Sequence, residues 1–159
     1  MSAYIKQEHD FIIRTKKIID QYNKFQIQKT EKFEITLFLN CLVGLLILPQ
    51  QHWYESLPTD NVSQKEWGIS PKHISTIKKG ELKNVMNVAR HLRNSVAHYN
   101  FTVFDNRLNK LSSVQFTDKI TEKGKDDIIT FEAVIPLKDL RQFTTKLTYT
   151  FTTLMEQSK

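Results

Sequence analysis

From Ile35 to Leu48 the chain holds its longest apolar run, 14 residues interrupted by Asn40 and Gly44. A membrane span needs about 20 consecutive apolar residues, so this stretch is too short to cross a bilayer. Read as a helix from about Glu31 to Leu48 and ended by Pro49, it is apolar almost all round. Such a helix has to be covered on several sides, either centrally in a bundle or by a partner subunit. Asn40, with Thr36 and Gly44 one turn to either side, is expected as a buried, hydrogen-bonded amide at a close helix contact. With 159 residues the chain is one domain, 1–159, large enough to bury its core without disulfides or a structural metal. Cys41 is the only cysteine, which excludes an internal disulfide and a cysteine-based zinc site.

The rest of the chain can be organised around that helix. Ile5, Phe11, Ile12, Ile18, Ile19, Tyr22 and Phe25 recur at helical spacing, so the spacing predicts an amphipathic helix over Ala3 to Phe25. Residues 51–79 lose the pattern and read as a long connection, with a short helix at Pro71 to Lys79. Its Trp53, Tyr54 and Trp67 are equally suited to stacking RNA bases or to covering the core. A third main helix is expected from Glu81, with Leu82, Val85, Met86, Ala89, Leu92 and Val96 on one face. The period then changes to two in Val114 and Phe116 and again in Ile129, Phe131, Ala133 and Ile135. This predicts a β-hairpin over 111–135 that turns at Lys123 to Asp126. Pro136 opens a last helix carrying Leu137, Leu140, Phe143, Leu147, Phe151 and Leu154, although its threonines also favour strands. The expected fold is mainly all-α, an antiparallel helical bundle with a small β-hairpin inserted before the C-terminal helix.

The chemistry concentrates at the end of the third helix, in Ala89-Arg90-His91-Leu92-Arg93-Asn94-Ser95-Val96-Ala97-His98-Tyr99. Arg93 stays charged and can grip phosphate oxygens through two parallel hydrogen bonds. His98 carries an imidazole, a group whose unperturbed pKa near 6.5 suits proton exchange at neutral pH. Residues five apart on an α-helix diverge by about 140°, so Arg93 and His98 share a direction only if the helix ends or loosens at His98. A site completed across a two-fold axis would also solve this. The bland alternative is Arg93 paired with Glu81 or another acid, and His98 as a C-terminal residue favoured by the helix dipole.

These residues and their order resemble the HEPN superfamily (higher eukaryotes and prokaryotes nucleotide-binding), whose ribonucleases carry an Arg, a polar residue, three to five further residues and a His. Arg93-Asn94-Ser95-Val96-Ala97-His98 fits that pattern. The apolar Phe33 to Pro49, the Arg-His-Leu-Arg-Asn stretch and the hairpin before the last helix are similar to a plasmid- and defence-associated bacterial branch. The resemblance covers about Glu31 to Phe143. It implies a metal-independent endoribonuclease, a toxin or antiphage abortive-infection effector, working as a homodimer with a composite active site. On that likeness Arg93, Asn94 and His98 would be catalytic, with Arg90, His91 and Tyr99 binding RNA or supporting the site. It also implies RNA as partner and an antitoxin or immunity protein as a possible second one. In HEPN toxins silenced by a nucleotidyltransferase antitoxin, a tyrosine lies two residues after the His. Here Asn100 stands there and Tyr99 is one residue early, a departure that puts that mode of regulation in doubt.

The charge balance is compatible with an RNA partner, since 23 Lys and Arg against 17 Asp and Glu give a formal net charge of +6. His9, His52 and His73 share no ligand spacing with acids or cysteines, so no metal and no cofactor are expected. The polar stretch Met1 to Asp10 has no signal-peptide pattern, and a soluble cytoplasmic protein is expected, without membrane contact. Two rivals stay open: a non-catalytic RNA- or protein-binding module acting as a partner subunit, and a structural dimerisation domain.

Overall fold

The computed structural model describes residues 7–24, 34–49, 51–105, 111–121, 124 and 126–158. Ile5, Phe25 and Phe33 of the expected helices, and Lys123 and Lys125 of the expected turn, lie outside these residues.

Helix α1 (Gln7–Lys24) is the expected amphipathic helix and buries Ile12 completely. Helix α2 (Glu34–Ile47) buries Phe38, Cys41, Leu42, Leu45 and Leu46 against α1 and two later helices. It is therefore covered within a single chain. The close contact expected on its polar strip exists only at Gly44, where an added Cβ would come within 2.8 Å of the Phe11 ring. Asn40 and Thr36 are exposed, so the buried amide expected there is absent. They fall on a side of α2 that no element among the described residues covers.

The stretch 51–79 has more structure than the expected long connection. It begins with α3 (Gln51–Glu55) and buries Tyr54, Leu57, Val62, Trp67 and Ile69. These aromatic rings serve the core, and Trp53, half-buried, donates from Nε1 to Glu8 at 3.2 Å. The short helix expected at Pro71 to Lys79 is a single 3-10 turn, Pro71–His73, followed at once by strand β1 (Ile74–Ile77). Lys83 fastens this turn by donating from Nζ to the carbonyls of Pro71 (3.0 Å) and Ile74 (2.7 Å).

Helix α4 (Val85–Ala97) starts four residues later than Glu81. Gly80 takes φ +87° in a turn closed by the Glu81 N–H and the Lys78 carbonyl. The helix is capped by Asn84, whose side chain accepts from the Asn87 N–H at 2.9 Å. Glu81 is thereby left outside the helix, in a position to approach its flank.

Strands β2 (Phe101–Asp105), β3 (Leu111–Ile120) and β4 (Ile128–Pro136) complete an antiparallel sheet of order β1-β4-β3-β2. The expected hairpin is β3–β4, in register at Val114↔Ile135 and Phe116↔Ala133. The mainly all-α expectation is wrong, because the hairpin is the centre of a four-stranded sheet and the fold is mixed α and β. Strands hold 22% of the described residues against 55% in helices. The physical reason is that an isolated two-stranded hairpin is marginal, and an edge strand added on each side satisfies its outer backbone groups. The inward residues Val114, Phe116, Phe131, Ala133 and Ile135 are fully buried and pack on α4 and on α5 (Leu137–Gln157). In α5 the threonines are accommodated by bonding back to the preceding turn, as Thr144 Oγ1 does to the Leu140 carbonyl at 2.9 Å. Among the described residues no helix is long and apolar enough to cross a membrane.

Candidate active site at the end of α4

One face of α4 is fully apolar, with Val85, Val88, Ala89 and Leu92 completely buried. The flank beside it carries His91, Asn94 and Ser95, so polar groups enter the interior and need partners. Ser95 finds one on its own helix, donating to the His91 carbonyl at 2.8 Å.

The helix ends at Ala97. His98 is the C-cap, with φ −97° and ψ 8°. Tyr99 follows in the left-handed region at φ +57° and donates to the Val96 carbonyl at 3.1 Å, while the Asn100 N–H reaches back to Ser95 at 2.7 Å. This pair of bonds is the Schellman arrangement, which normally places a glycine where Tyr99 stands. The reversal leaves His98 exposed and Tyr99 82% exposed. Among the described residues the His98 side chain makes no hydrogen bond or ion pair, so the imidazole faces solvent. The bland reading of His98 as a dipole-stabilised C-terminal residue describes the same position, and exposure alone does not separate the two.

Arg93 is turned the other way. Its Nε and Nη2 lie 3.3 and 3.1 Å from Asn94 Oδ1, and its guanidinium sits over the Tyr54 ring at 5.5 Å from the centroid. Tyr54 is itself buried, with its hydroxyl donating to the Leu46 carbonyl, and burial pushes that hydroxyl's pKa up against the opposing pull of Arg93. Arg93 and His98 are not in hydrogen-bond contact within one chain, in keeping with their divergence on the helix.

Beneath them lies a buried ionic set. The His91 ring, 3% exposed, has Nδ1 at 2.7 Å from Asp118 Oδ2 and Nε2 at 2.8 Å from Glu81 Oε2. It stacks on Phe131 at 4.9 Å with planes 6° apart. Glu81 also receives Arg90 at 2.6 Å, so the acid in this neighbourhood pairs with Arg90 and His91. Asp118 Oδ2 accepts a second bond, from Asn94 Nδ2 at 3.0 Å. Burial by itself would raise both carboxyl pKa values, but hydrogen bonds and charge from His91, with Arg90 at Glu81 and Asn94 at Asp118, outweigh it and hold both below the ordinary range.

The structure thus joins Arg93, Asn94, His91 and Arg90 into one network and leaves His98 and Tyr99 on the adjoining turn. Sequence reasoning missed Asp118, Tyr54 and the pairing role of Glu81. Asp118 carried a usable signal, because it continues the inward alternation of Val114 and Phe116, and a carboxylate on a core-facing position demands donors. Tyr54 gave none beyond being aromatic. Although Glu81, His91 and Asp118 adjoin, no group of three His, Cys, Asp or Glu among the described residues is arranged to hold a metal ion. A separate cavity of about 240 Å³ between α1, α2 and α5, walled by Phe38, Leu45 and Arg141, shares no residue with this site.

Residues 1–158 match a protein-family model described as HEPN pEK499 p136. No curated protein and no solved structure matches the chain.

Proposed function

The chain belongs to the HEPN pEK499 p136 family, and from that membership we propose that it is a metal-independent endoribonuclease. The observation that carries this reading is the Arg93-Asn94…His98 set at a helix terminus, with a solvent-facing imidazole at the C-cap and a guanidinium anchored about one and a half turns earlier. His98 takes the proton from a ribose 2′-hydroxyl, or returns one to the leaving 5′-oxygen. The 2′-oxygen attacks the adjacent phosphorus as the P–O5′ bond breaks, leaving a 2′,3′-cyclic phosphate and a 5′-hydroxyl. Arg93 neutralises the charge that builds on the phosphoryl oxygens. The formal net charge of +6 favours an anionic partner.

Because Arg93 and His98 diverge within one chain, the working form on this reading is a homodimer whose two motifs face one cleft. A toxin or antiphage effector, restrained by an antitoxin or immunity protein, is the biological role that fits such an activity. The test is incubation of the purified protein with RNA in excess chelator, with the new ends mapped by sequencing. Cleavage with cyclic-phosphate ends is expected. A protein that binds RNA with salt-dependent affinity and never cuts it would replace this reading with the non-catalytic one.

Tyr99 supplies a second measurement. A groove of about 300 Å³ is lined by Tyr99 with Asn100, Thr102, Gln115 and Thr117, and Tyr99 holds a backbone conformation costly for a non-glycine residue. We expect Tyr99→Gly to stabilise the fold by about 1 kcal/mol, since the left-handed region costs an L-residue roughly that much. The same change is expected to weaken RNA binding by removing a stacking surface, worth about 1–3 kcal/mol per base. Thermal melting and fluorescence anisotropy with an RNA oligonucleotide read the two effects. A variant that gains stability and binds RNA as wild type does would remove Tyr99 from the site.

A further inference from the structure

We propose that Asp118 is a positioning residue for Arg93, acting through the Asn94 amide, and that His91 and Glu81 keep Asp118 aimed at that amide. The inference rests on the reading of Arg93 as the phosphate grip. It assigns to Asn94 the holding of Arg93 in place.

The argument is one of donor and acceptor order. A carboxylate only accepts, so the Asn94 end that faces Asp118 at 3.0 Å has to be the NH₂ group. The amide oxygen is thereby turned the other way, to Arg93, whose guanidinium only donates and meets it at 3.1 and 3.3 Å. A reversed amide would set oxygen against carboxylate and NH₂ against guanidinium, turning these three favourable contacts into repulsive ones. With Oδ1 on Arg93 and one Nδ2–H on Asp118, the amide is held in one orientation.

Asp118 is fixed from several elements. Its Oδ2 also receives His91 Nδ1 from α4, and the ring's other nitrogen is met by Glu81 from the turn before α4. Two carboxylate acceptors on opposite sides of one imidazole are both satisfied when each ring nitrogen carries a proton. The charged groups around the ring are Glu81, Asp118 and, on α4 itself, Arg90, which bonds Glu81; β4 contributes the apolar Phe131 face that stops the ring from tilting. The strand geometry adds an independent observation. The β3–β4 register shifts between Asp118 and Lys119, a bulge of the kind that re-aims a side chain, and Thr130 Oγ1 donates to the Asp118 carbonyl at 3.1 Å there.

The experiment uses the full chain and two readouts. Wild type, Asp118→Asn, Asn94→Ala and the double variant are compared by the Arg93 Nε–H resonance in nitrogen-resolved NMR and by kcat and KM for RNA cleavage. Asp118→Asn is isosteric; should it fail to fold, Asn94→Ala, at a half-buried position, still reports on the link. We expect a protected Arg93 resonance in wild type that broadens into exchange with water in each single variant. We also expect kcat to fall about 10- to 100-fold in each, the scale of a misplaced catalytic group, with KM moved less. The double variant is expected to lose no more than Asn94→Ala alone, because both changes interrupt one path. An Arg93 resonance unaltered in folded Asp118→Asn, or losses that multiply, would overturn the proposal. Absence of any cleavage by wild type would remove the ribonuclease reading, while the Arg93 resonance would still decide the positioning role.

Discussion

RNA cleavage by His98→Ala is expected to fall about 10²- to 10⁴-fold, the usual worth of a placed general acid or base, with the fold intact. The structural basis for expecting a clean loss is that His98 is the exposed C-cap of α4 and the described core makes no use of its side chain. Removing the imidazole forfeits at most an interaction with the helix dipole of about 0.3–1 kcal/mol at an exposed site. Circular dichroism and melting should therefore match wild type while end-mapped cleavage disappears. Arg93→Ala is expected to lose activity on a similar scale but with some stability, because Arg93 also covers the Tyr54 ring. Undiminished cleavage by folded His98→Ala would sink the catalytic assignment.

His91→Ala is the change expected to damage stability most. It leaves Glu81 and Asp118 without the ring that bridges them and uncovers the Phe131 ring, and removing one partner of such a buried pair costs about 3–5 kcal/mol. The low end of that range is appropriate, since the Glu81 and Asp118 side chains retain 18% and 11% exposure. The loss should depend on pH in a defined direction. In the wild type both carboxyls sit below their ordinary values, so they stabilise the fold above about pH 4 and lose that contribution as pH falls through their lowered values. In His91→Ala the compensation for burial is largely gone, so the deficit against wild type should be greatest at neutral pH and shrink as pH falls through the lowered wild-type values, where the wild-type carboxyls are neutralised as well. Melting temperatures from pH 3 to pH 7 measure this. A deficit constant across that range would mean the loss is one of packing on Phe131 alone.

Local pattern carried part of this architecture and tertiary pairing carried the rest. Helices α1, α2, α4 and α5 and the β3–β4 hairpin were legible because each has several turns or residues of uniform period. Strand β1 was not, because Ile74-Ser75-Thr76-Ile77 is four residues between Pro71 and Gly80 and becomes a strand only by lying against Phe131 and Ala133 of β4. Strand β2 failed for the same reason, its partner being the outer edge of β3. The motif Arg93-Asn94…His98 and the helix end after it were readable, as was the divergence of the two named residues. The network beneath them was not, since it joins α4 to Glu81 and to Asp118, and nothing in local spacing says which acid meets which ring nitrogen. The exposed Asn40 shows the reverse error, a polar residue in an apolar run that marks the uncovered side of a helix.

The sheet order β1-β4-β3-β2 bears on when the protein acquires its chemistry during synthesis. Arg93 and His98 leave the ribosome together, but Asp118 follows 20 residues after His98, and β4, which flanks β3 and supplies Phe131, runs on to Pro136. Until β4 has emerged, β1 has no partner strand, His91 has no ring to stack on, and α4 is an amphipathic helix with unmatched polar groups. A nascent chain therefore holds the motif without its support. On the ribonuclease reading, Arg93 is not held for its task until the last strand of the sheet is in place.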